Sequence, residues 1–102
     1  MIPDIEERRA DLEALCRQFG VRRLEVFGSA ATGPFQDAAS DLDFLVEFEN
    51  PGGPGIADRF FGLQESLQAL FGRPVDLVVE PAIKNPYFRE SVDKTRALLY
   101  AA

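Results

Sequence analysis

The chain contains no histidine and a single cysteine, Cys16, among its 102 residues. Without histidine there is no Ser-His-Asp triad, no HExxH zinc helix and no His-based ribonuclease chemistry. A lone cysteine excludes a disulfide framework or a Cys-rich zinc site built within one chain. Basic residues are also in deficit, 11 against 17 acidic, for a formal net charge of −6. Such a chain repels polyphosphate backbones, so no strong nucleic-acid binding is expected. No apolar run approaches the ~18 residues of a membrane span, and the first nine residues (MIPDIEERR) are charged rather than apolar. The expectation is therefore a cytoplasmic protein with no membrane partner. What the chain does have is 46% hydrophobic residues, with nine Phe and two Tyr, enough material for one core and one domain over residues 1–102. A surplus of carboxylates has a local use, because clustered acids suit a hard divalent cation.

Pro3 with Asp4, Glu6 and Glu7 reads as a helix start, since negative charge suits that end of the dipole. Ile5, Leu12, Leu15 and Phe19 form one apolar stripe, with Arg17 in the last turn and Gly20 as the stop. Residues 21–27 (VRRLEVF) predict a strand, followed by a break at Gly28-Ser29 and a small polar stretch through Gly33-Pro34 to Ser40. Residues 41–48 (DLDFLVEF) alternate: Leu42, Phe44, Val46 and Phe48 point one way, Asp41, Asp43, Leu45 and Glu47 the other. After a loop at 50–55 (NPGGPG), Ile56, Phe60, Leu63, Leu67 and Leu70 mark a second amphipathic helix ended by Gly72 and Pro74. Val75 to Val79 (VDLVV) reads as a buried strand. Asn85-Pro86 caps a short third helix carrying Phe88 and Val92, and the ALLYAA tail fits either an edge strand or coil. The second helix is long enough to cross over between parallel neighbours at 41–48 and 75–79. The expected fold is α/β (α+β), a small mixed sheet with helices on one face and a polar second face carrying Asp41, Asp43 and Asp76.

Those three aspartates are the first candidates for chemistry. Period-two geometry puts Asp41 and Asp43 on one face with Cα atoms roughly 6.5–7 Å apart. Two such carboxylates repel unless a cation neutralises them. Asp76 is a charge inside an apolar strand, and a carboxylate there needs a partner or a metal. Taken alone, DLD reads equally as the wet face of an amphipathic strand, and Asp76 as a strand-end surface residue. Gly28-Ser29 adds to the pattern: a glycine after an apolar strand allows a tight turn and close approach to a ligand, and a serine offers a hydroxyl and an N–H suited to phosphate.

The combination resembles a known family. VFGSAATG, SDLDFLVEF and VDLVVE are similar to the signature of the minimal nucleotidyltransferases (MNT), the stripped-down branch of the DNA polymerase β superfamily: GS, about ten residues, D-x-D, then a third Asp on a later strand. The resemblance runs from about Val21 to Glu80, and the NPYFRESV…LLYAA tail is similar to the end of such proteins. It implies a polymerase-β-like nucleotidyltransferase core in a single domain. It assigns Gly28 and Ser29 to the nucleotide triphosphate, Asp41 and Asp43 to two magnesium ions, and Asp76 to completing the metal site and helping activate the incoming hydroxyl. Two departures stand out. Eleven residues, Ala30 to Ser40, separate Ser29 from Asp41, one more than usual, and Thr32 occupies a position where many members carry an arginine. A lost cation there would weaken triphosphate binding. Arg73, Lys84 and Arg89 are candidate replacements only by being basic, and surface solvation accounts for each.

The implied reaction is magnesium-dependent transfer of a nucleoside monophosphate, AMP from ATP, to a hydroxyl of a partner protein. The chain's length implies that a second protein supplies the other wall of the cleft, in a homo- or hetero-oligomer, through exposed apolar positions. The resemblance names that partner as a helical HEPN-type toxin. This chain lacks histidine and hence the toxin's R-x₄₋₆-H motif, so it corresponds to the antitoxin of an MNT–HEPN toxin–antitoxin module. The alternative is a catalytically weak, binding-only antitoxin. A third reading, tailing of RNA 3′ ends, is disfavoured by the acidic charge.

Overall fold

A computed structural model describes residues 1–32 and 41–102. The expected break at Gly33-Pro34 and the stretch to Ser40 lie outside the described residues.

The first amphipathic stripe folds as two helices, α1 (Pro3–Glu7) and α2 (Arg9–Gln18), rather than one. Arg8 leaves helical geometry at φ −101°, ψ 17°. Ile5 and Leu12, one on each helix, are both fully buried. Strand β1 (Val21–Phe27) follows, then a four-residue helix α3 (Ser29–Thr32) directly after the glycine. Next come β2 (Leu42–Phe48), α4 (Ile56–Phe71), β3 (Val75–Val79), a single 3-10 turn at Glu80–Ala82, α5 (Pro86–Thr95) and β4 (Ala97–Ala101). The predicted turn chemistry holds at both later helices. Gly72 closes α4 at φ +66°, its N–H reaching the Gln68 carbonyl. The Asn85 Oδ1 caps α5 by accepting from the N–H groups of Tyr87 (2.8 Å) and Phe88 (3.3 Å).

Among the described residues the strands form one mixed sheet in the order β3-β2-β1-β4. The β2–β3 pair is parallel, as the crossover helix α4 requires, and the other pairs are antiparallel. The tail is therefore an edge strand against β1, not coil. Side-chain amides fasten β3 to α4: Gln64 donates to the Val75 carbonyl (2.9 Å) and the Val75 N–H donates to Gln68 Oε1 (3.2 Å).

Leu24, Val26, Leu42, Phe44, Val46 and Leu77 face α1, α2 and α4 and make up most of the sheet's share of the main core. The second face departs from expectation. Leu45, placed among polar neighbours by the alternation, is 4% exposed, packed with Phe27, Ile83 and Val92 under α5. Helix α5 and the turn before it cover the middle of this face, so helices lie on both sides of the sheet. A remote segment contributed the lid, which no local pattern in β2 records.

Candidate active site

β1 carries the chain to the end of the sheet and Gly28 turns it. Its φ of +74° lies in the left-handed region, where a side chain is strained. Space is short as well: a Cβ built on Gly28 would fall 2.8 Å from Asp43 Oδ2 and displace that carboxylate. The glycine thus lets the bend lie against the carboxylate. The Ala31 N–H (3.1 Å) and the Thr32 hydroxyl (3.4 Å) donate to the Gly28 carbonyl, closing α3. From the other side, the Ile2 N–H donates to the Ala30 carbonyl (3.0 Å).

The strand registers bring the acids to this bend. Asp43 lies between Phe27 on β1 and Asp76 on β3, and neighbouring strands are ~4.8 Å apart, so the two carboxylates share one face. Burial pushes the Asp43 carboxyl up from 3.8 to about 6, aided by the charges of Asp76 and Asp41 and a hydrogen bond with Asp76. Every one of these influences favours the protonated acid; no basic side chain offsets them. Asp41 lies just before β2 rather than within it and is exposed, as is Asp76. Gly28, Asp43 and Asp76 therefore meet, Ser29 opens α3 beside them, and Asp41 acts on Asp43 through its charge. Among the described residues, no three or more His, Cys, Asp or Glu side chains gather closely enough to hold a metal. The donor set is nonetheless the hard-oxygen kind that magnesium takes, and the upward push on Asp43 is the mark of negative charge that a cation would relieve.

That push gives a pH dependence. An acid whose folded pKa exceeds its unfolded value favours folding below the unfolded pKa and loses that contribution as pH rises through the folded one. The window here runs from about 4 to about 6. We expect Asp43→Asn to match the parent in urea denaturation near the bottom of that window and to exceed it at pH 7 by up to ~2–3 kcal/mol. A constant difference across this range would contradict the assignment.

The basic candidates behave differently from expectation. The Arg73 side chain is 6% exposed and lies 3.5 Å from Asp4, because the chain after Gly72 turns it under α1. Arg89 lies 3.5 Å from Glu80, so only exposed Lys84 fits simple solvation. Two residues were missed. Glu25, 3% exposed in the middle of β1, is held bidentately by Arg96 at 2.7 and 2.8 Å and by Arg23 at 3.0 Å. The hydrogen bond from Arg96 is the main influence lowering the Glu25 carboxyl below its ordinary range. An acid amid apolar strand residues is the same signal that singled out Asp76, and it was legible here too. A cleft of about 720 Å³, lined in part by Glu25, Phe48, Ile56, Phe60 and Arg96, lies where β2 runs on past the end of β3. None of Gly28, Ser29, Asp41, Asp43 or Asp76 lines it.

Comparison with known proteins agrees with the geometry. The model of the nucleotidyltransferase domain matches residues 9–99. Protein adenylyltransferase MntA of Thermococcus cleftensis is 41% identical over 76 residues, 74% of this chain and 73% of that protein. A solved structure assigned to a minimal nucleotidyltransferase is 34% identical, with a TM-score of 0.70 over 91% of this chain and 90% of that one. At 16% identity the likeness extends only to fold for a solved structure of tri-AMPylated Shewanella oneidensis HEPN toxin in complex with MNT antitoxin, at a TM-score of 0.58 over 95% of this chain and 72% of that one. A bend of the GS type against paired strand carboxylates, on this sheet and with these relatives, makes the chain a member of the nucleotidyltransferase domain family, in its minimal nucleotidyltransferase branch.

Proposed function

We propose that this nucleotidyltransferase moves AMP from ATP to a hydroxyl of a HEPN-type helical protein and serves as that toxin's antitoxin. The observation that carries the reading is the packing of Gly28 on Asp43 with Asp76 alongside, a glycine bend and two acids within one small volume, which supports a phosphate and metal site there. The adenylyltransferase name of the archaeal relative supports the donor, and the toxin complex that shares the fold supports the partner.

In this reading Gly28 and Ser29 hold the triphosphate, and Asp41, Asp43 and Asp76 hold magnesium. The bound metal supplies charge neutralisation at the phosphate oxygens. Asp76, exposed on the edge strand, takes the proton of the acceptor hydroxyl as its oxygen bonds to the α-phosphorus. The bond from that phosphorus to the bridging oxygen breaks, and pyrophosphate leaves. Exposed apolar side chains are present to meet a partner, Phe61 on α4, Tyr87 and Phe88 on α5 and Leu98 on β4. The test is intact-mass measurement of a purified HEPN-type helical protein from the same source, after incubation with this protein, ATP and magnesium. The expected result is a gain of one or more AMP units, and an unchanged mass under conditions that preserve binding would refute the transfer.

A second reading, a binding-only antitoxin, is favoured by Thr32 in place of the arginine of many family members and by the absence of a gathered three-acid group among the described residues. Toxin neutralisation without any mass gain is its signature.

A further inference from the structure

The bend that this reading gives to the triphosphate is held in place by a residue from the far end of the chain. The Gly28 N–H donates to the Thr95 Oγ1 at 2.8 Å, across 67 residues of sequence. The sheet register explains why it needs to. Val26 pairs with Ala97 at the start of β4, and continuing that antiparallel register puts Gly28 opposite Thr95. There the chain is still in α5, so Thr95 offers no strand carbonyl. The threonine hydroxyl takes the place of the missing ladder acceptor. It is itself oriented, because it donates to the Ser91 carbonyl one turn back at 2.9 Å and so turns its lone pairs towards Gly28. The next residue, Arg96, clamps the same segment to Glu25 of β1.

The structure assigns Thr95 as a positioning residue for nucleotide binding: its hydroxyl fixes the Phe27–Gly28 peptide, and thereby the lie of the bend against Asp43 from which Ser29 departs. Gly28 has φ +74° and no side chain to hold it. Its carbonyl is held from within α3 by Ala31 and Thr32, so the Thr95 hydroxyl is what holds the N–H side of the residue, and the close approach to Asp43 Oδ2 makes small rotations matter. The inference rests on the reading that the Gly28-Ser29 bend holds the triphosphate, and the experiment separates the two.

Full-length protein carrying Thr95→Val, Thr95→Ser or Ser29→Ala is compared with the parent in two measurements. One is affinity for a non-hydrolysable ATP analogue with magnesium. The other is amide hydrogen exchange at Gly28. Thr95→Val is expected to weaken the analogue about five- to tenfold, the usual worth of one such hydrogen bond, and to speed exchange at Gly28 relative to the β1 amides. Thr95→Ser restores both, and where transfer is measured Thr95→Val raises KM for ATP while kcat holds. If Thr95→Val does not fold, Thr95→Ala is read by the same criteria. Weakening by Ser29→Ala with none by Thr95→Val overturns the role of Thr95 and leaves the triphosphate reading standing. No weakening by either variant overturns that reading and the inference with it. Equal weakening by Thr95→Ser and Thr95→Val shows a packing effect, not a hydroxyl effect, and overturns the assignment.

Discussion

Replacing Asp41 and Asp43 together by alanine is expected to lower AMP transfer by about 10³-fold or more, since metal stabilisation of phosphoryl charge is worth several kcal/mol and each 1.36 kcal/mol is a factor of ten. The fold should survive. Asp43 is pushed up to about 6 by burial and by its neighbours, so its ionised form opposes folding at neutral pH and its removal relieves that cost. The double variant should therefore melt no lower than the parent without magnesium, and should lose any magnesium-dependent rise in melting temperature. Rates come from radiolabel or intact-mass time courses, stability from thermal melts. A variant that keeps a tenth or more of the transfer rate excludes these acids from the reaction. Full toxin neutralisation by a variant with no transfer activity favours the binding-only reading.

Arg96→Met is expected to be strongly destabilising for a change at a partly exposed side chain. Glu25 is 3% exposed and accepts two charge-assisted hydrogen bonds from Arg96. Removing the guanidinium leaves a buried carboxylate with Arg23 as its remaining ion-pair partner among the described residues. Breaking a buried pair from one side costs ~3–5 kcal/mol. The lower end applies, about 3 kcal/mol, because Arg23 stays within 3.0 Å. In a chain of this length that lowers the melting temperature by ~12–24 °C. The sign of the pH effect follows from Glu25. Its carboxyl lies below its ordinary 4.5 in the intact protein, so this contribution is present above that value and is lost as pH falls. The gap between Arg96→Met and the parent should accordingly narrow in acid. Replacing both partners, Glu25→Leu with Arg96→Met, should recover much of the loss. A single-variant melt within ~5 °C of the parent would show that the pair contributes little.

Legibility in the sequence followed the range of the interactions. The parallel pairing of β2 with β3 was readable because a sixteen-residue helix with a glycine stop lies between two strand-like runs. The Asn85 cap and the GS turn announce themselves locally. Leu45 was misplaced because the cover over it comes from Ile83 and Val92, and a two-residue period cannot tell a solvated face from one capped by a remote helix. Arg73 was misplaced for a similar reason: Asp4, which meets it, lies 69 positions earlier in the chain. At the site, the crossover made β2 and β3 legible as parallel neighbours, while the register that sets Asp43 beside Asp76 comes from the packing of both strands on the shared core. Thr95 carries no local signal at all; its role exists only through the antiparallel register of β1 with β4.

The bend after β1 takes one hydrogen bond from Ile2 and gives one to Thr95. During synthesis the first contact is available early, whereas the second must wait until β4 can pair. Closing so long a loop is slow compared with local helix formation. A ribosome-bound intermediate can consequently shape α2 and β1 while the Gly28-Ser29 bend is still loose. The final shape of the bend is thus acquired only after the 67 residues that separate Gly28 from Thr95 have been made.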